Sequence, residues 1–323
     1  MQGKVSSKES ATCAVYVGID VCKEWLDIHL HPLGRDLRLA NDKGGIRQLK
    51  RLLMPLRPTA IVMEATGKFH RPAHRSLDAD GFAVTIVDPF RARMFARYCG
   101  HLAKTDRLDS RLLARLAQSG QLSPSAPPSP AVEAIRELVG ARAAARAELT
   151  ALNNRLEASE SAFLRTELRR LAGSLDRHID RLDSEIERCI EDNPDLRRKV
   201  EILISIPGIG PATAHALIAG LGELGQCTGK QAAMLAGLAP IANDSGPRTG
   251  RRSIRAGRAA PRRALYMAAL SASRYNPHLS LFARALKAAG KPPKVILVAV
   301  MRKLVVLANT LITQNRTWTP NPP

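Results

Sequence analysis

The sequence predicts an α/β amino-terminal domain, then a long helical segment, then a mostly helical, basic carboxy-terminal domain. Three observations predict this arrangement: short apolar segments in the first 118 residues, a stretch rich in proline and serine from Ser123 to Pro130, and a glycine-poor region with helical periodicity beyond it. The length of 323 residues fits two or three domains, and 45% hydrophobic residues are enough to form cores, which excludes a disordered basic tail.

Each element of the first domain follows from its local pattern. In the second strand, polar Asp27 and His29 alternate with apolar residues, whereas the apolar run that ends at Glu64 suits a strand buried on both faces. The predicted elements, in chain order, are strands Ala14 to Asp20, Trp25 to His31 and Arg35 to Ala40, a helix Ile46 to Leu56, a strand Thr59 to Glu64, a helix Pro72 to Ala79, a strand Phe82 to Val87 and helical segments to about Gln118. This β-β-β-α-β-α-β-α order is the one found in RNase H-like folds.

The stretch rich in proline and serine predicts a linker between domains. The predicted bounds are 14–122 for the α/β domain, 123–130 for the linker, 131–194 for the helical segment and 195–313 for the carboxy-terminal domain. The helical segment is expected to form a coiled coil or a helical hairpin, because its apolar residues recur every three or four positions until Asn193-Pro194 ends the pattern. These residues are Leu164, Leu168, Leu171, Leu175, Ile179, Leu182, Ile186 and Ile190.

Positive charge is concentrated near the carboxyl end. The chain has 49 Lys and Arg against 29 Asp and Glu, a net charge of +20, and 15 basic residues without one acidic residue lie between Gly246 and Pro323. This predicts a polyanionic partner, and nucleic acid is favoured over a membrane surface because Gly, Ala and Pro separate the arginines of the densest cluster. That cluster comprises Arg248, Arg251, Arg252, Arg255, Arg258, Arg262 and Arg263. With 4% aromatic residues, phosphate contacts are expected to dominate binding.

The sequence favours a cytoplasmic, nucleoid-associated protein without a membrane partner. Residues Met1 to Thr12 lack the apolar stretch of a signal peptide, and Arg302 and Lys303 interrupt the apolar segment Val295 to Ile312, which is therefore expected to be a buried helix. The five cysteines are widely separated and form no C-x-x-C pair, so they are expected to be reduced.

Four acidic residues predict a metal site. Asp20 and Glu64 end the first and fourth predicted strands, and sites collect at the carboxyl ends of strands in parallel sheets. Asp106 and Asp109 are spaced i, i+3, so both face one side of the helix that runs to Gln118. Two Mg²⁺ or Mn²⁺ ions would offset the repulsion between these carboxylates and suit phosphodiester chemistry. Taken singly, Asp106 and Asp109 are also typical of the first turn of a helix.

Two further motifs lie in the carboxy-terminal domain. The segment Ile206-Pro207-Gly208-Ile209-Gly210 is typical of a helix-hairpin-helix, in which Gly208 and Gly210 would let the backbone approach a phosphate; an ordinary turn packed in a core is the alternative. The segment Asn243-Asp244-Ser245-Gly246-Pro247 has the composition of a turn. Its serine could attack a phosphodiester, although composition alone is more typical of a plain turn serine.

Together these motifs resemble the DEDD transposases of insertion sequences, a group that includes RNA-guided bridge recombinases. The resemblance runs from Tyr16 to about Ile312. Its motifs are Gly18-Ile19-Asp20 with Lys23, Glu64-Ala65-Thr66-Gly67, Lys104-Thr105-Asp106 with Asp109, Ile206-Pro207-Gly208-Ile209-Gly210, Gly237-Leu238-Ala239-Pro240, Ser245-Gly246 and Arg262-Arg263-Ala264-Leu265-Tyr266-Met267.

The resemblance implies a RuvC-like nuclease domain whose four acids match Asp20, Glu64, Asp106 and Asp109, a coiled coil used in assembly, and a carboxy-terminal transposase domain. The nucleophilic serine of the family matches Ser245. The resemblance further implies a 5′-phosphoserine intermediate, sites shared between protomers, and a structured guide RNA.

The leading hypothesis is therefore a Mg²⁺-dependent recombinase that acts on the DNA of element ends and targets as a dimer or tetramer. One alternative keeps the metal site but is a junction resolvase or nuclease in which water attacks the DNA. The other alternative is a non-enzymatic scaffold that binds nucleic acid through its basic region.

Overall fold

The computed structural model describes residues 14–100, 106–246, 250 and 252–320, of which the side chains of residues 106–108 are left out. The chain divides into two compact units, Met1–Pro127 and Pro128–Pro323, and the division falls inside the stretch rich in proline and serine. Each unit has its own hydrophobic core.

The first unit is a five-stranded sheet with helices on both faces. Its elements are β1 (Tyr16–Val21), β2 (Trp25–His31), β3 (Arg35–Ala40), α1 (Lys43–Leu56), β4 (Ala60–Glu64), α2 (Arg71–Ala79), β5 (Val84–Val87), α3 (Pro89–Tyr98) and α4 (Asp106–Gln118). The strands lie in the order β3-β2-β1-β4-β5. β1, β2 and β3 form an antiparallel meander, while β4 and β5 run parallel to β1. The chain reaches these parallel strands through the crossover helices α1 and α2.

Alternation along β1 separates the two faces of the sheet. Val17 and Ile19 point into the main core, where Leu49 and Leu53 of α1 and Leu77 of α2 cover them. Asp42 precedes α1, and its side chain caps the helix by accepting the backbone N–H of Gly45 at 2.7 Å. Helices α1 and α2 therefore cover the face opposite to Gly18 and Asp20.

Helix α4 covers the other face of the sheet at very close range. A Cβ atom on Gly18 would lie 2.0 Å from the backbone oxygen of Ser110 and 2.3 Å from the backbone nitrogen of Ala114. Only glycine permits this approach of a helix backbone to a strand. Leu113 and Ala117 continue the contact in a cluster with Val62 of β4.

The second unit is mainly helical. Its elements are α5 (Pro130–Ala158), α6 (Ala162–Glu191), α7 (Pro194–Ile204), α8 (Pro211–Gly220), α9 (Gly229–Leu235), β6 (Pro240–Ile241), β7 (Ser253–Ile254), α10 (Ala259–Tyr275), α11 (Pro277–Ala288) and α12 (Pro293–Thr313). α5 and α6 pair as a long helical hairpin through Ala145, Leu149, Ala172 and Ile179. An ion pair between Arg142 and Asp183 joins the same two helices.

Helix α12 lies in the core of this unit. By length and composition alone it could cross a membrane. However, Val300, Leu304 and Ala308 are buried, and the helix packs on α7, α9, α10 and α11. The buried Asn309 side chain accepts from the backbone N–H of Gly225 at 2.9 Å and donates to the carbonyl of Cys227 at 2.8 Å. These contacts account for the apolar segment as a core helix.

Several boundaries differ from the sequence-based expectations. β1 starts two residues later than predicted, at Tyr16, and α5 already begins at Pro130, the last residue of the predicted linker. The short β6–β7 pair was not expected in a region predicted to be helical. Along α6, Leu164 and Leu171 are exposed, because α5 covers only part of the apolar stripe. The four described cysteines are free thiols, and Cys13 lies outside the described residues.

The substitution Gly18→Ala is expected to lower the free energy of unfolding of the first unit by about 3 kcal/mol, because the new methyl group meets backbone atoms that cannot rotate away. Urea unfolding measures the change. Gly140→Ala is the matched control, since open space surrounds Gly140 and alanine favours a helix. Equal urea midpoints for the two variants would contradict the close contact between α4 and β1.

Candidate functional site

Asp20 and Glu64 lie side by side at one edge of the sheet. The parallel register ends with the pair Ile19 and Met63, and Asp20 and Glu64 are the next residues of the two strands. Asp20 is on the same face as Gly18, and Glu64 is on the same face as Val62, which is the face that α4 covers. Both acids are partly buried. The structure therefore brings together these two predicted site residues.

Helix α4 directs its first turn toward the same edge. Ser110 contacts Gly18, and farther along the helix Leu113 and Ala117 belong to a cluster with Tyr16 and Ala60, the first residues of β1 and β4. The helix thus runs from the carboxyl ends of these strands toward their amino ends. Asp106 and Asp109, which precede Ser110, consequently lie toward Asp20 and Glu64.

The donor set at this edge consists of carboxylates. Oxygen ligands of this kind suit Mg²⁺ or Mn²⁺ and not a metal that prefers sulfur or imidazole. Among the described side chains, no three His, Cys, Asp or Glu residues form a group that could hold a metal ion. The side chain of Asp106 falls outside that description, whereas Asp109 is partly buried at the start of α4.

Asn41 ties together the loops that follow the two acidic strands. Its side-chain amide donates to the carbonyl of Cys22 at 2.8 Å, just beyond β1, and to the carbonyl of Phe69 at 3.1 Å, beyond β4. Its backbone N–H also donates to the carbonyl of Glu24 at 2.9 Å. Asn41 follows β3 in a polar turn, so its sequence context carried no signal for this role.

A polar network extends from the acidic edge to β3. Asp27 accepts two hydrogen bonds from Arg38, at 2.8 and 2.9 Å. Asp36 lies 2.6 Å from the Nδ1 atom of His29 and is paired with Arg111 of α4. The hydrogen bonds from Arg111 and His29 lower the pKa of Asp36 to about 2. Arg111 thus anchors the helix that carries Asp109 to the sheet.

This network was missed by sequence reasoning. Alternation marked Asp27 and His29 as one polar face of β2, yet both are buried under α4. Their partners come from the next strand and from a distant helix, which no local pattern identifies. A cavity of about 210 Å³ opens beside Asp27, Arg38 and Ser110.

Ser245 lies in the loop between β6 and β7 of the second unit, where it is exposed. The preceding Asp244 accepts the backbone N–H of Gly250 at 2.9 Å and the guanidinium of Arg252 at 2.5 Å. The Arg252 hydrogen bond, with that from Gly250, lowers the pKa of Asp244 below its ordinary value. A Cβ atom on Gly250 would lie 1.9 Å from the carbonyl oxygen of Asn243, so glycine is required for this loop to close.

The arginine cluster around this loop is only partly directed outward. Arg258 binds Glu223 through two hydrogen bonds, at 2.7 and 2.5 Å, and Arg262 donates to the carbonyl of Ala256 at 2.6 Å. Arg255 and Arg263 are exposed. Two members of the predicted nucleic-acid-binding set, Arg248 and Arg251, lie outside the described residues.

The glycines between α7 and α8 have different environments. Gly208 has a φ of +107°, and a Cβ atom there would lie 2.6 Å from the Cβ of Ala272, so packing against α10 accounts for this glycine. Gly210 is exposed, directly precedes α8 and has no atom within 4 Å of its Cβ position. The space around Gly210 leaves room for a phosphate, and the phosphate contacts of both glycines stay predictions.

Comparison with known proteins assigns the chain to a family. A family model described as a transposase of the DEDD, IS110 type matches residues 17–159, and the model of the IS116/IS110/IS902 transposase family matches residues 200–284. The chain belongs to this family of insertion-sequence transposases. The first match contains Asp20, Glu64, Asp106 and Asp109, and the second contains Ser245.

Two curated relatives resemble the transposase over most of its length. They are the pilin gene-inverting proteins of Moraxella bovis and Moraxella lacunata, each 28% identical over 316 residues. In both cases the similarity covers 93% of this chain and 96% of the relative. The family membership implies that DNA is the substrate of this transposase.

The Asp36 network is expected to stabilise the transposase at neutral pH and to lose that effect in acid. The pKa of Asp36 in the folded state, about 2, is below its ordinary value of 3.8, so the contribution is present above about pH 4 and is lost as the pH falls toward 2. We expect about 1 kcal/mol, because Arg111 is half exposed and solvent screens the pair.

Urea unfolding of the wild type and Asp36→Asn between pH 2 and pH 6 measures this contribution. The comparison between the two proteins removes the effect of the other carboxylates that titrate in this range. The difference in unfolding free energy should shrink as the pH falls. A difference that stays constant over this range would refute the role of Asp36.

Proposed function

We propose that this transposase cuts and rejoins DNA with divalent metal ions held by Asp20, Glu64, Asp106 and Asp109, and with Ser245 as the nucleophile. The observation that carries the proposal is the placement of Asp20 beside Glu64 at the sheet edge toward which α4 directs Asp106 and Asp109. Divalent cations would offset the repulsion among four carboxylates gathered at one edge.

We assign the first unit to the RNase H-like, RuvC-like class of nuclease domains. Supporting this assignment are the antiparallel meander β3-β2-β1, its extension by parallel β4 and β5, and the helices on both faces. Acids at the carboxyl ends of β1 and β4 occupy the edge at which α/β sheets collect their functional groups.

Two Mg²⁺ or Mn²⁺ ions are the proposed cofactors. Bound there, they would neutralise phosphate oxygens and favour the ionised form of an attacking hydroxyl. The residues of the chain supply position: Asp20 and Glu64 are fixed by β1 and β4, Asp109 is fixed by α4, and Asn41 and Arg111 hold the surrounding loops and helix.

The covalent step assigned to Ser245 is a transfer of the DNA phosphate. The serine oxygen forms a bond to phosphorus and loses its proton, while the bond from phosphorus to the 3′-oxygen breaks and that oxygen takes up a proton as a free hydroxyl. The product is a 5′-phosphoserine, which keeps the energy of the phosphodiester. Attack by the 3′-hydroxyl of another strand then rejoins the DNA and releases the serine.

The basic carboxy-terminal region supports nucleic acid as the partner of the second unit. Between Gly246 and Pro323 the chain has 15 basic and no acidic residues, and exposed Arg255 and Arg263 lie close in sequence to Ser245. A structured guide RNA enters the proposal through the family resemblance alone. A dimer or tetramer belongs to it because composite sites for two DNA duplexes need more than one protomer.

Loss of the metal site is expected to abolish cleavage. Asp20→Asn and Glu64→Gln should each reduce cleavage of element-end DNA on the order of a hundredfold or more. Mutation of residues that only support metal ligands already lowers metal affinity or activity by about 10- to 100-fold. Gel assays with Mg²⁺, with Mn²⁺ and with a chelator measure the effect. Asp78→Asn, an exposed acid on α2, is the control and should cleave normally. Full activity of Asp20→Asn would refute the metal site, and DNA binding without cleavage by the wild type would leave the scaffold alternative.

The serine mechanism predicts a covalent adduct between protein and DNA. With DNA labelled on the 3′ side of the cut, in the fragment that keeps the 5′-phosphate, wild-type protein should carry label on a denaturing gel, and Ser245→Ala should carry none because the attacking oxygen is missing. Ser253→Ala is the matched control, since it removes an exposed hydroxyl from the same hairpin and should leave the adduct intact. Cleavage without an adduct in the wild type would favour the resolvase alternative, in which water attacks.

A further inference from the structure

Helix α3 presents an exposed apolar stripe next to the acidic edge. Phe90, Met94 and Tyr98 recur every four residues, so they share one side of the helix. Their exposed fractions are 71%, 37% and 86%. No residue of α3 is fully buried, and the Phe95 and Tyr98 rings lie with their centroids 6.4 Å apart.

The sheet places the start of this stripe near the four acids. Val87, the last residue of β5, pairs with Glu64 in the parallel register. Asp88 caps α3 by accepting the backbone N–H of Arg91 at 3.0 Å, and Phe90 follows two residues later. After Tyr98, seven residues lead to Asp106 at the start of α4. Helix α3 therefore lies in the chain between two of the acidic segments.

The positive charge of α3 indicates which kind of partner fits this helix. Arg91, Arg93 and Arg97 are exposed, and the helix contains no acidic residue. Guanidinium groups bind phosphates, and aromatic rings stack on bases that are free of pairing. A second copy of the chain would place its own three arginines against these, so charge repulsion disfavours a symmetric contact through α3.

We propose that α3 is a docking surface for single-stranded DNA, with Phe90 and Tyr98 stacking on unpaired bases and Arg91, Arg93 and Arg97 contacting the backbone phosphates. This inference rests on the proposed function, in that the strand held by α3 is the one presented to the acidic edge. The low aromatic content of the whole chain predicts that phosphate contacts dominate binding. Helix α3 is an exception, because 3 of the chain's 12 aromatic residues lie within its ten positions.

The decisive experiment measures binding of a fluorescent single-stranded DNA oligonucleotide to the full-length protein by anisotropy, with a chelator present so that no cleavage occurs. The double variant Phe90→Ala/Tyr98→Ala should weaken binding on the order of tenfold or more, since each stacked base contributes about 1 to 3 kcal/mol. Phe163→Ala is the matched control: its ring is 77% exposed at the start of α6, and binding should not change.

Two further measurements separate stacking from charge. Arg93→Gln should reduce the slope of log affinity against log salt by about 0.7, whereas Tyr98→Ala should leave that slope unchanged. DNA that contains 5-iododeoxyuridine should crosslink to Phe90 or Tyr98, identified by mass spectrometry of the peptides. If the double variant unfolds, the single variant Tyr98→Ala replaces it in the binding assay, because a side chain that is 86% exposed contributes little to the core.

Binding by the double variant equal to that of Phe163→Ala would overturn the proposal. If the double variant lost affinity for single-stranded RNA but not for single-stranded DNA, the assignment to DNA would be overturned. Because the chelator removes catalysis from the assay, this outcome is independent of the metal site. Normal cleavage by Asp20→Asn would refute the proposed function, whereas unchanged binding by the α3 variants would refute only this inference.

Discussion

The contact between the α4 backbone and β1 at Gly18 is the constraint on which the amino-terminal unit depends. With a Cβ position only 2.0 Å from the Ser110 oxygen, the strand accepts the helix only because residue 18 has no side chain. This contact determines where Asp109 lies relative to Asp20. It also covers the polar face of β2, so that Asp27 and His29 become buried and require partners.

Polar side chains around this contact join separate elements of the unit. Arg111 joins α4 to Asp36 on β3, and Asn41 joins the loop after β1 to the loop after β4. These interactions connect the elements that carry the acids, but they involve none of the acids themselves. In the proposed metal site, such outside support would help to hold several carboxylates together against their repulsion.

Glycines also shape the second unit, for a similar steric reason. Gly208 lets the turn before α8 pack on Ala272, and Gly250 lets the loop that bears Ser245 close against Asn243. Arg252 and Arg258 are held by Asp244 and Glu223, so part of the positive charge shapes the protein instead of facing a ligand. The number of arginines in a sequence cluster is therefore larger than the number available to bind phosphates.

Local sequence patterns predicted the order of strands and helices in the first unit, because periodicity and turn residues are local properties. The same local signals marked Asp20 and Glu64 as strand-end acids. It also marked the motifs that resemble the transposase family. Packing between distant segments accounts for the adjacent strand ends that carry Asp20 and Glu64, and for the burial of Asp27 and His29. It also accounts for the contacts of Asn41 and Arg111 and for the exposure of Phe90 and Tyr98. Those outcomes depend on which distant segments pack together, and a linear pattern does not contain that information.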